Sequence, residues 1–101
     1  MKFSLTSKEY KHLFSNNNSL KIGDLLFRYK KNPLPRLGLI VSKKYGNAPS
    51  RNLFKRRCRA LYRLYFQNEN LIIVIQPLHQ NIGWKNIQSG FSKFKTSLTI
   101  V

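Results

Sequence analysis

Eight of the nineteen lysines and arginines of this chain fall between Lys43 and Arg63, a stretch without Asp or Glu. Arg51, Lys55, Arg59 and Arg63 recur every four residues, with Asn52 and Arg56 beside them. In a helix, at about 100° per residue, these side chains share one face. Guanidinium forks and ammonium groups bind phosphate oxygens, so the chemistry on offer is polyanion binding. A basic helix face is commonly just solvated, but it then carries Glu or Asp at i,i+4 to pair the cations. This one carries none, and its like charges repel unless a polyanion neutralises them. The charge distribution therefore favours a nucleic-acid surface over a solvated face.

Side chains for catalysis are scarce. The only acids are Glu9, Asp24 and Glu69, the only histidines His12 and His79, and the only cysteine Cys58. Scattered in this way they do not form the clustered ligand set of a protein metal site. Asp24 and Glu69, if brought together, would still make a poor two-metal centre. A single cysteine excludes a disulfide within the monomer, and Cys58 reads as a small buried hydrophobe. If this chain takes part in phosphodiester cleavage, another component must hold the metals.

A formal charge of +16 on 101 residues is extreme. It opposes compaction by self-repulsion and calls for an anionic partner, though charge alone does not separate nucleic acid from a membrane surface. The length suits one domain, residues 1–101, with a modest core. No run reaches the roughly 18 apolar residues of a membrane-spanning helix. The opening MKFSLTSKEYK lacks an apolar stretch of signal-peptide length, so a cytoplasmic protein is expected.

The elements that must position the basic residues follow from pattern. Thr6-Ser7-Lys8-Glu9 has the form of a capping box, opening a short helix to about Phe14 with Tyr10, Leu13 and Phe14 on one side. Ser15–Ser19 reads as a loop. Leu20–Lys30 reads as one or two strands with a kink at Gly23, ending at Tyr29, which is either a stacking surface or an ordinary strand-end tyrosine. Arg36–Lys43 alternates, placing Leu37, Leu39, Val41 and Lys43 on one sheet face, with Lys43 as a groove floor and Lys44 turned the other way. Asn47 is a suitable N-cap and Pro49 falls in the first turn, so a helix runs from there to about Gln67. Its apolar side is expected to hold Phe54, Cys58, Leu61, Leu64 and Tyr65, with Arg57 snorkelling from the edge. Tyr62 and Phe66 fall on the basic side, as stacking rings or under another element. Leu71–Ile75, uninterruptedly apolar, suits a strand covered on both faces. Trp84, Ile87, Phe91, Phe94 and Leu98 form the core-facing stripe of a last helix. The expectation is an α+β fold, a two-layer α-β sandwich in the order αβββαβα.

Lys43-Lys44, Gly46-Asn47-Ala48, Arg51-Asn52, Lys55-Arg56 and Arg59, at this spacing, resemble the signature of the bacterial ribonuclease P protein subunit. Tyr62-Arg63, Arg36-Leu37-Gly38 and the Leu71–Ile75 run extend the resemblance over nearly the whole chain. Leu53 stands where the family usually has a second arginine, and Ala60 where it often has glutamate.

The resemblance implies the fold of the second domain of a small-subunit ribosomal protein, with a left-handed β-α-β crossover where the general rule is right-handed. It implies a subunit of an endoribonuclease whose catalytic RNA holds Mg²⁺ and removes the 5′ leader of precursor tRNA, with no catalytic or metal-ligating side chain in the protein. Contacts to that RNA subunit are expected from Lys44, Asn47, Arg51, Asn52, Lys55, Arg56, Arg59 and Arg63. The leader is expected on Tyr10, Phe14, Tyr29 and Lys43, with Tyr10 and Phe14 equally readable as core. The implied partners are the catalytic RNA and precursor tRNA, with no membrane and no obligate protein partner. A structural ribosomal or other basic RNA-binding protein without a role in cleavage is the alternative. A protein-only nuclease and a DNA-binding helix are more distant ones.

Overall fold

The computed structural model describes Lys8, Lys11 and residues 17–99. Lys8 and Lys11 are helical and exposed; the rest of the first expected helix, including Tyr10 and Phe14, lies outside the described residues. From there the elements are β1 (Asn18–Ile22), β2 (Leu25–Lys31), β3 (Arg36–Leu39), α1 (Ala48–Tyr65), β4 (Leu71–Pro77) and α2 (Trp84–Thr99). The expected α+β architecture is present: among the described residues, one four-stranded sheet in the order β1-β2-β4-β3 packs against α1 and α2.

Leu20–Lys30 forms two strands, with Ile22 paired to Leu25 across a Gly23-Asp24 turn. Gly23 has φ +56°, a conformation that glycine adopts without a Cβ clash and that a two-residue hairpin turn needs at its first position. β2 runs antiparallel to β4, and β3 runs parallel to β4 with Leu37 opposite Ile73. Helix α1 is thus the crossover between two neighbouring parallel strands.

Alternation sorts the sheet into two faces. Leu25, Phe27, Leu37, Ile73 and Ile75 meet the helices, and Phe54, Cys58, Leu61, Phe91 and Phe94 fill the space between. The Phe27 and Phe94 rings stack at 4.2 Å, with Phe91 edge-on to Phe27 at 5.6 Å. Ile72 and Val74 are also buried, on the other face with Ile40, so β4 is covered on both sides as its unbroken apolar run implies.

Gly90 lets α2 approach the sheet. A Cβ there would lie 2.8 Å from Leu25 Cδ1.

Candidate nucleic-acid interface

Helix α1 carries the basic surface. Its start is held by Asn47, whose side-chain oxygen accepts the Ser50 N–H at 3.0 Å, and Pro49 sits in the first turn, where no intrahelical N–H is required. Arg51 Nη1 donates to the Gly46 carbonyl at 3.0 Å, so this arginine is half-buried and ties the helix to the preceding turn. Lys55 is half-buried as well, while Asn52, Arg56, Arg59 and Arg63 are exposed. The helix contains no acid. The cationic ridge therefore exists, with its outer crest at Arg56, Arg59 and Arg63.

The buried side of α1 is rotated from the expected one. Phe54, Cys58, Leu61 and Tyr62 are buried, followed by Phe66 just past the helix end, whereas Leu64 is 72% exposed and Tyr65 only half-buried. Phe66 packs against Phe91 and Phe94 at 6.2 and 5.5 Å. Those α2 rings pull the C-terminal part of α1 round toward Tyr62 and Phe66 and leave Leu64 outside. Tyr62 and Phe66 are thus covered rings, not stacking surfaces. Burial pushes the Tyr62 phenol up to about 12, with the Arg36 charge opposing the shift. Burial also pushes the Cys58 thiol up, against the pull of Arg59.

Lys43 departs from its expected place. β3 stops at Leu39, and Lys43–Tyr45 forms a single 3₁₀ turn instead of a continued strand. The turn carries the Tyr45 ring into the core, where it is 6% exposed and its hydroxyl accepts the Ile82 N–H at 3.0 Å. Burying that ring bends the chain off the sheet, so Lys43 is exposed in a loop and not a groove floor. Lys44, also exposed, lines a hollow of about 300 Å³ with Ser42, Gln76 and His79.

Tyr29 lies at the other end of the molecule. Its half-buried ring is edge-on to Phe94 at 5.2 Å. It lines a cleft of about 730 Å³ with Asn18, Asn32, Asn70 and Lys95. Glu69 walls the same cleft and accepts from Lys95 Nζ at 2.6 Å. The cleft follows the C-terminus of α1, and Lys43 precedes its N-terminus. Eighteen helical residues separate them, a span of roughly 27 Å at 1.5 Å per residue. Tyr29 and Lys43 therefore do not share one groove. Tyr10 and Phe14 lie outside the described residues.

The described side chains offer no cluster for a protein-held Mg²⁺. Among the described residues no three His, Cys, Asp or Glu come together. The Asp24 carboxylate accepts from Asn86 at 3.2 Å and has His79 at 3.5 Å, while Glu69 is engaged by Lys95.

Sequence reasoning missed two features. Tyr45 gave no periodic signal. Trp84, placed by its spacing in the core stripe, is 37% exposed, and the Arg57 guanidinium sits over its ring at 5.5 Å. Arg57 breaking the polar pattern on the neighbouring helix was the available hint.

The Ribonuclease P family model matches residues 4–98. The ribonuclease P protein component of Phytoplasma australiense is 39% identical over 70 residues, covering 65% of this chain and 61% of that protein. The component of Mesomycoplasma hyopneumoniae is 34% identical over 97 residues, covering 86% and 87%. The match spans only about three fifths of the two phytoplasma relatives, 61% and 59% of their lengths. In fold, the chain superposes on the Staphylococcus aureus RNase P protein with a TM-score of 0.82 at 19% identity, covering 99% and 98% of the two chains. For the Thermotoga maritima RNase P protein the TM-score is 0.75 at 21% identity, covering 93% and 96%. With a family model matched over almost its whole length, the chain belongs to the Ribonuclease P protein family.

Proposed function

We propose that the chain is the protein subunit of a ribonuclease P, binding a catalytic RNA through α1 and assisting removal of the 5′ leader from precursor tRNA. The observation that carries this is the crest of Arg56, Arg59 and Arg63, exposed on a helix without a single acid, in a member of this family. Each guanidinium offers a planar fork to phosphate oxygens, and each contact releases condensed counterions, so binding weakens steeply with salt. Asn52 and Lys55 flank the crest; Arg51, Asn47 and Lys44 serve the end where the helix begins. The RNA supplies the phosphodiester hydrolysis and holds the Mg²⁺. This chain's residues neutralise phosphate repulsion and orient the substrate.

Tyr29, with Lys95 and the asparagines of its cleft, is the end of the molecule suited to single-stranded leader, because an aromatic ring beside cations holds bases with little sequence preference. Tyr10 and Phe14 are proposed to join it. Lys43, exposed in its turn at the far end, is instead suited to a phosphate of the RNA subunit. Such a complex works in the cytoplasm.

The test is reconstitution. The chain is added to a bacterial ribonuclease P RNA at low Mg²⁺ and 5′ processing of precursor tRNA is followed. Acceleration that fades as Mg²⁺ is raised is expected. No acceleration at any Mg²⁺ concentration overturns the proposal, and recovery of ribosomal RNA instead of one catalytic RNA by the tagged protein would favour the structural alternative.

A further inference from the structure

One lane of α1 is not cationic. Leu53, Arg57, Ala60 and Leu64 succeed one another at spacings of four, three and four, which places them along a single stripe beside Arg56 and Arg63. Leu53 is 37% exposed and Leu64 72%. Trp84, the first residue of α2, closes the stripe from the neighbouring helix, with the Arg57 guanidinium over its ring. An exposed indole thus meets, through Arg57, a stripe with two exposed leucines that is flanked by Arg56 and Arg63.

The charge around the patch selects its occupant. Neither helix contains an acid, and Lys85 adds a further exposed cation beside Trp84. A second copy of a chain with net charge +16 would be repelled. The occupant must carry dense negative charge together with a flat apolar surface at the scale of one ring, and an unpaired nucleotide has both. Arginine backing an aromatic ring is an arrangement on which a base can stack.

We propose that Trp84, backed by Arg57, whose stripe on α1 also carries the exposed Leu53 and Leu64, is a stacking platform for an unpaired nucleobase of the RNA that α1 binds. The proposal rests on the RNA-binding reading above and adds a base contact to what that reading treats as phosphate recognition.

Trp84 is the chain's sole tryptophan, so its emission reports on this site alone. The protein is titrated with single-stranded oligoadenylate of about ten nucleotides, within the usual site size for single-strand binders. Parallel titrations use inorganic polyphosphate of equal charge and an abasic oligonucleotide of the same length. Anisotropy of labelled RNA measures binding independently. Oligoadenylate is expected to quench Trp84, while polyphosphate and the abasic strand bind without quenching. Trp84→Leu is expected to weaken oligoadenylate binding about tenfold while leaving polyphosphate unchanged, and Trp84→Phe to recover most of the loss. Unaltered circular dichroism and melting temperature show that both variants fold.

RNA that binds without quenching, or quenching equal for all three polyanions, overturns the platform and leaves the RNA-binding reading intact. Absence of RNA binding overturns both. Quenching by an acidic peptide but not by oligoadenylate would give the patch to a protein partner.

Discussion

The Tyr45 hydroxyl accepts the backbone N–H of Ile82 at 3.0 Å, joining the turn before α1 to the segment before α2 across 37 residues of sequence. Both residues are buried, at 6% exposure each. Burial raises the Tyr45 phenol above its ordinary value, and the bond from Ile82 partly opposes that. Tyr45→Phe keeps the ring but strands a buried N–H, which costs about 1–3 kcal/mol. Urea unfolding should show a lower midpoint at unchanged slope. A midpoint equal to that of the wild type would mean the bond holds nothing together.

The basic residues of α1 divide into anchors and crest. Asn47→Ala removes the N-cap and should cost about 1 kcal/mol of stability. Arg51→Ala breaks the bond to Gly46 and should lower both stability and RNA affinity. Arg56→Ala and Arg59→Ala should leave the melting temperature within a degree or two, since exposed charges contribute little to folding. They should each reduce the slope of log binding constant against log salt by about one unit. Slopes identical to the wild type in both crest variants would remove the ridge from the RNA interface.

Tyr29→Ala should have two effects that separate in measurement. Loss of the edge contact with Phe94 should destabilise the fold by about 0.5–1.5 kcal/mol beyond the lost burial. Precursor tRNA with a leader should bind more weakly, while mature tRNA binds as before. Tyr10→Ala and Phe14→Ala should show the same leader dependence. Equal losses on both substrates would make the three rings core residues only.

Alkaline pH should act through Cys58. Its thiol, ordinarily at 9.0, is raised in the folded state by burial. Above pH 9 the unfolded chain has released that proton and the folded chain retains it, so the thiol's contribution is complete below pH 9 and is lost as pH rises. Tyr62 acts likewise, its contribution falling from its ordinary value of 10.0 toward about 12. Chemical denaturation of the wild type and Cys58→Ala between pH 8 and 11 should show the advantage of the wild type shrinking from about pH 9, a comparison in which the lysines and tyrosines cancel. A constant gap would show that the thiol titrates freely. The folded protein should also resist thiol reagents, because the thiolate is the reacting form.

Much of this molecule was legible in its residues. Asn47 and Pro49 mark where α1 begins, because capping is local chemistry. Gly23 marks the break in the Leu20–Lys30 run, because only a few residues tolerate its backbone angle, though the residues alone left one kinked strand or two. The Leu71–Ile75 run declares a doubly covered strand, and the row of cations without an acid declares a basic helix face, because both are properties of composition along a line.

Tertiary packing decided what periodicity could not. Leu64 and Tyr62 exchanged their expected places because α2's phenylalanines, 27 to 32 residues further on, pack against Phe66 and so set which side of α1 is covered. Lys43 left its strand because the hydrogen bond that rewards burying Tyr45 comes from Ile82. Trp84 fits the core stripe by spacing and escapes it in space, at the end of α2 where Arg57 of the other helix meets its ring. A helical wheel gives the angle between side chains on one element; which angle faces the core depends on a neighbour that the wheel does not contain.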